Sequence, residues 1–172
     1  ANTQPCILTV SVAVWRVLKV ETGFTPDFFA GHSLGEYSAV VAADKLSLGR
    51  AAMLVRKRGE AMQEAVPAGV GAMAAVMNMD SEELKNKCAA IHSDSSVCEV
   101  VNFNSPQQQV VAGHKGAVED LCKGLEADGI RFVPLPVSAP FHSSLMQPAR
   151  EAMTPLLNES EFASNDNKVI AN

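Results

Sequence analysis

Residues 28–43, FFAGHSLGEYSAVVAA, decide how this chain folds. Three apolar residues, Phe28-Phe29-Ala30, run straight into Gly31-His32-Ser33-Leu34-Gly35, and Glu36 to Ala43 continues with helical composition. Strand, sharp turn and helix in immediate succession are the setting that a G-x-S-x-G nucleophile elbow requires. Small residues around Ser33 permit a strained turn that lifts its hydroxyl clear of the backbone. The helix that follows aims unpaired N–H groups and its positive end at the same point. An oxyanion forming on an attacked carbonyl could take the backbone N–H of Leu34, the residue after the serine. The alternative is a chance pentapeptide in a glycine-rich loop, and the flanking strand and helix weigh against it.

Upstream of the elbow, Thr3-Gln4-Pro5 offers a helix start, and Ile7 to Leu18 is apolar nearly all round, as in a core helix ended by Gly23. Downstream, Ser47 caps a long helix, Leu48 to Val66, stopped by Pro67 and Gly69. From Gly71 the texture changes. A strand-like run to Met77 is followed by a helix from about Ser81 to Ile91, then apolar runs at Cys98 to Phe103 and Val110 to Ala112. A helix from Gly116 to Ala127 and a run from Ile130 to Val137 complete it. The order βαββαβ is the ferredoxin-like split unit. Residues 69–138 are therefore expected as a small subdomain inserted into a larger α/β one built from 1–68 and 139–172.

A serine nucleophile needs a base. His32 lies within the elbow, with its side chain expected to point away from Ser33; His92 ends a surface helix and His114 sits in a strand-to-helix turn. These three read as structural or solvated. His142 follows the apolar run Val133 to Val137 and the turn Ser138-Ala139-Pro140-Phe141, where the chain re-enters the larger subdomain, a placement that suits a catalytic loop. Its competing reading is a capping or buried histidine. In the helix from Leu48, residues Ala51, Leu54, Val55, Met62 and Ala65 mark the inward stripe, and Arg58 falls on it while Arg56 and Lys57 fall off. An inward guanidinium must find an anion, and its planar fork suits a carboxylate. An internal ion pair with Glu36 or Glu60, a snorkelling side chain and a substrate carboxylate all remain open on pattern alone.

Composition excludes several classes. With 172 residues, 47% hydrophobic and 19% charged, the chain is long enough and apolar enough for a globular core. A net charge of -5 argues against a nucleic-acid partner, which rewards clustered Lys and Arg. Cys6, Cys88, Cys98 and Cys122 lack metal-ligand spacing and read as reduced, mostly buried thiols. No charged segment with a cleavage site precedes the first apolar stretch, and Pro5 to Val20 is short and carries Arg16, so neither secretion nor a membrane span is expected and the cytoplasm is the expected location. Gly69-Val70-Gly71-Ala72-Met73-Ala74 imitates a dinucleotide fingerprint, but it opens a strand and not a helix. No cofactor and no metal are expected.

The sequence resembles the malonyl-CoA:acyl-carrier-protein transacylases of bacterial fatty acid synthesis and the acyltransferase domains of polyketide and animal fatty acid synthases. The matching stretches are Gly31 to Ala39, Arg58-Gly59 with Met62-Gln63, Gly71 to Val76, Asn102-Phe103-Asn104-Ser105-Pro106, Val111-Ala112-Gly113-His114, and Pro136-Val137-Ser138 with Phe141-His142. The resemblance implies an α/β-hydrolase-like core with the ferredoxin-like subdomain inserted. It implies Ser33 as nucleophile, His142 as general base, the Leu34 N–H in the oxyanion hole and Arg58 as ligand of the malonyl carboxylate. Met62, Asn104, Phe141 and His32 join Arg58 as substrate-binding residues, and a bulky Phe141 would crowd an α-methyl branch. The implied partners are malonyl-CoA and holo acyl carrier protein, with a monomer expected. The family's opening strand and glutamine-bearing loop, and its closing segment that orients the histidine, find no counterpart in these residues, so the chain reads as a fragment. Two rival readings stand beside this one. In the first, a serine esterase or thioesterase uses Asp128 to complete the chain order Ser, Asp, His; in the second, the fragment is non-catalytic.

Overall fold

The computed structural model describes residues 2–137 and 139–171; Ser138, part of one matching stretch, lies outside them. In chain order the elements are α1 (Thr3–Thr22), β1 (Phe28–Ala30), α2 (Leu34–Ala42), α3 (Leu48–Glu64), β2 (Gly71–Met77), α4 (Ser81–Ile91), β3 (Cys98–Ser105), β4 (Gln108–His114), α5 (Lys115–Ala127), β5 (Phe132–Pro134), α6 (Gln147–Asn158) and β6 (Lys168–Ile170). The chain divides into two compact units, 1–61 with 151–172 and 62–150. The strand and helix alternation from β2 to β5 lies within 69–138.

In the first unit β1 pairs in parallel with β6, Phe28 opposite Lys168 and Ala30 opposite Ile170. Its core is made by residues one helical turn apart: Leu8 and Val12 from α1, and Ala51, Leu54 and Val55 from α3, packed with Val41, Leu46 and Met153. Gly23 closes α1 in the left-handed region at φ 65, where a β-carbon is unwelcome. The expectation of a core helix at 7–18 is corrected here. Only the Leu8–Val12 stripe of α1 is buried, while Val10, Val14 and Val17 stay 62%, 63% and 62% exposed, because one side alone of this all-round apolar helix is covered among the described residues. None of the described helices is long and apolar enough to cross a membrane.

In the second unit the strands run in the order β3-β4-β2-β5, every pairing antiparallel. Two βα crossovers interleaved in this order give the ferredoxin-like topology that the sequence pattern announced. Alternate residues divide the two faces. Ala74, Val76, Cys98 and Val111 face Leu84 of α4 and Leu121 and Leu125 of α5, the last three wholly or almost wholly buried, and each such leucine contributes about 2 kcal/mol. Met73, Ala75, Val110 and Ala112 face the other way and form a smaller cluster. Asp80 caps α4, its carboxylate accepting from the N–H groups of Glu82 and Glu83 at 2.9 and 3.1 Å. The cysteines are unbridged; Cys88 and Cys98 are buried and Cys122 partly so, but Cys6, on the uncovered side of α1, is exposed.

Candidate active site

The elbow is built as its sequence requires. A β-carbon on Gly31 would overlap the backbone of Gly35, so the chain can double back here only with glycine at 31. Ser33 takes φ 54 and ψ -109, outside the regions comfortable for an L residue, and such strain persists only where surroundings impose it. The turn is tied by Gly35 N–H to His32 O at 2.8 Å and Glu36 N–H to Ser33 O at 3.2 Å. Leu34 opens α2, so its N–H has no carbonyl partner inside the helix and lies beside the serine. Gly31→Ala is expected to destabilise the protein by roughly 3 kcal/mol, read as a lowered urea midpoint, because the obstructing atoms are backbone and cannot rotate away. An unchanged midpoint would show that the elbow is not this tight.

Arg58 reaches the same place from α3. Its Nη2 donates to Ser33 Oγ at 2.9 Å and its Nη1 to Gln4 Oε1 at 2.8 Å. The ion pair with Glu36 or Glu60 that the sequence left open is not formed among the described residues. Glu60 instead accepts from Arg56 at 3.1 Å and Lys57 at 2.9 Å on the solvated side of the helix. Arg58 is thus a half-buried cation held by two neutral acceptors. Burial pushes its guanidinium below the ordinary value, opposed by the attraction of Tyr37 and Glu36, and an arginine so placed keeps its charge. Gln4 is the residue that sequence reasoning missed. Its one signal was an amide in the first turn of the helix, ahead of the apolar stretch from Ile7.

The other candidates, His32 excepted, lie in the second unit. Phe141 packs against the Met73, Ala75, Val110 and Ala112 face of the sheet. The loop from 139 to 146 falls within the second compact unit, where Phe141 anchors it on the sheet. His142 is exposed, in the left-handed region at φ 66, and lines a cavity of about 410 Å³ with Lys85, His92, Glu99 and Val101. Met62 is buried on α3. Asn104 is exposed near the hairpin end of β3, its amide donating to Gln108 Oε1 at 3.3 Å, and does not line the His142 cavity. His32 is exposed. His114 accepts from Val97 N–H at 2.9 Å, a structural role. Asp128, the acid of the esterase alternative, is taken up by Lys87 at 2.6 Å at the exposed end of α5. No cluster of three or more potential metal ligands occurs among the described residues.

The family model for the acyl transferase domain matches residues 1–170, and the chain belongs to that family. The malonyl CoA-acyl carrier protein transacylase of Bacillus subtilis (strain 168) is 48% identical over 172 residues, covering 99% of this chain and 54% of that protein. Among solved structures, FabD from Acinetobacter baumannii superposes with a TM-score of 0.95 at 40% identity, over 99% of this chain and 55% of that one. A malonyl-transacylase solved in complex with a type II PKS acyl-carrier protein gives a TM-score of 0.94 at 43% identity, over 99% and 55%. The chain spans about half the length of the curated relatives it matches. The two units are parts of the fold these structures share, an α/β-hydrolase-like core with a ferredoxin-like subdomain.

Proposed function

We propose that the protein carrying this chain is an acyl-carrier-protein S-malonyltransferase of fatty acid biosynthesis. It moves malonyl from malonyl-CoA to the phosphopantetheine thiol of holo acyl carrier protein, in the cytoplasm. One observation carries the reading: a guanidinium that has no carboxylate partner among the described residues stands 2.9 Å from the hydroxyl at the elbow. In a malonyl-serine ester a single carbonyl carbon and a single methylene separate the serine oxygen from the free carboxylate. A cation beside Ser33 Oγ is therefore within reach of the far end of that acyl group, and acetyl offers it nothing. Relatives named for this reaction at 45–48% identity support the same assignment.

In the proposed mechanism His142 takes the Ser33 proton as the hydroxyl oxygen attacks the thioester carbonyl. The tetrahedral oxyanion is held by the Leu34 N–H, and it collapses with loss of the CoA thiolate, which receives the proton. The carrier thiol then attacks the ester, again passing its proton to His142, and Ser33 is regenerated. Phe141, directly before the base, would crowd an α-methyl branch and so disfavour methylmalonyl. Gln4 holds Arg58 in position, so Gln4→Leu is expected to raise KM for malonyl-CoA about tenfold with a smaller change in kcat, the signature of lost ground-state binding. Equal loss in kcat and kcat/KM would move Gln4 into the chemical step. The deciding experiment is incubation with malonyl-CoA alone followed by peptide mass spectrometry. A malonyl adduct on the Ser33 peptide, discharged by holo carrier protein, is expected; no adduct, or one elsewhere, overturns the proposal.

A further inference from the structure

We infer that Glu99, on the edge strand β3, is the positioning residue for His142: its carboxylate fixes the backbone that holds the imidazole. The inference rests on the reading of His142 as the base. Glu99 Oε2 accepts from the backbone N–H of Ser144 at 2.7 Å, a charge-assisted bond between groups 45 residues apart. Ser144 opens a 3-10 turn, Ser144–Met146, and its N–H is one of the end donors that such a turn leaves without a partner of its own. Cys98 and Val100 pack towards α4 and α5, so strand alternation turns Glu99 away from that core.

His142 is thereby pinned from both sides. On the N-terminal side, Pro140 sits on Gly71 so closely that a β-carbon there would overlap its ring, and Phe141 is set in the Met73 and Ala112 cluster. Ser143 Oγ donates back to Pro140 O at 2.7 Å. On the C-terminal side the Glu99 clamp is the side-chain anchor that comes from a distant strand. Between the two, His142 has φ 66, a conformation its β-carbon disfavours and will leave if one end is released. Glu99 and His142 also line the same cavity, so the clamp sits beside the imidazole it orients. Substrate binding would be spared, because Arg58, the proposed ligand of the acyl carboxylate, is held by Gln4 and Ser33 and by nothing on β3.

The test uses the natural full-length protein and compares Glu99→Ala, Glu99→Gln, Ser144→Pro and the Ala/Pro double variant in malonyl transfer. Ser144→Pro deletes the donor and leaves the carboxylate. Proline is tolerated at the first position of the turn, and Ser143 before it, at φ -79 and ψ 169, is already in the conformation that a following proline demands. Glu99→Ala and Ser144→Pro are each expected to lower kcat about tenfold or more with KM within about twofold, and the double variant to be no worse than either. Glu99→Gln, which keeps an acceptor, is expected to restore kcat to within about threefold of the parent. Parental kcat in both single variants overturns the inference, and so does a glutamine variant as slow as the alanine one, which would make charge and not the backbone bond the cause. If Glu99→Ala does not fold, Ser144→Pro alone decides on the same criterion. His142→Ala separates the two levels. Retained transfer there would remove the base itself, whereas its loss, with kcat unchanged in Ser144→Pro, would remove only the clamp.

Discussion

Ser33→Ala is expected to lower malonyl transfer about 10⁴-fold or more and to abolish the acyl adduct, with the melting temperature essentially unchanged. The size of the loss follows from the scheme. Without the hydroxyl no covalent intermediate forms, and what is left is whatever rate comes from holding thioester and thiol together. Alanine keeps the β-carbon, so the backbone at φ 54 is as strained as before and stability has no reason to rise. Ser33→Gly differs on that point. Glycine adopts positive φ without steric cost, and this variant is expected to be inactive yet more stable by about 1 kcal/mol. Inactivity joined to added stability would show that the elbow holds its strain for the sake of the hydroxyl. Transfer within tenfold of the parent in Ser33→Ala would remove the nucleophile assignment altogether.

The sequence disclosed most about elements whose residues do one job. The short apolar runs of β2 and β4 and the turn residues around Ser33 fix their own conformations, so strand order in the ferredoxin-like unit followed from the βαββαβ rhythm. The heptad-like stripe on α3 likewise placed Arg58 inward and Arg56 and Lys57 outward, as the structure has them. Apolar composition misled at α1, since twelve residues of nearly continuous hydrophobicity reveal that a helix can be buried without revealing on how many sides it is. The partners of Arg58 were equally hidden. A guanidinium facing inward is legible from periodicity, but whether it meets Glu36, Glu60, Gln4 or Ser33 depends on which elements pack beside it. Glu99 was invisible for the same reason: one acidic residue on a strand reads as solvated, and only the fold brings the Ser144 N–H to it.

Arg58→Ala is expected to lower kcat/KM for malonyl-CoA by roughly 10²-fold or more while leaving the slow reaction with acetyl-CoA nearly unchanged, so that the preference between the two narrows by that factor. Truncating one partner of a desolvated charge pair costs about 3 kcal/mol, and each 1.4 kcal/mol is tenfold. Malonyl supplies the half-buried guanidinium with a counter-charge and acetyl does not, so the loss falls on the malonyl reaction. Arg58→Lys should recover only part of the loss. An ammonium can meet the carboxylate as a point charge, but it lacks the fork that now reaches Gln4 and Ser33 together, at 2.8 and 2.9 Å. Steady-state rates with malonyl-CoA and acetyl-CoA for the parent and both variants decide the matter. Should the malonyl-to-acetyl ratio stay as it is in Arg58→Ala, the guanidinium beside Ser33 would be holding the serine and not selecting the acyl group.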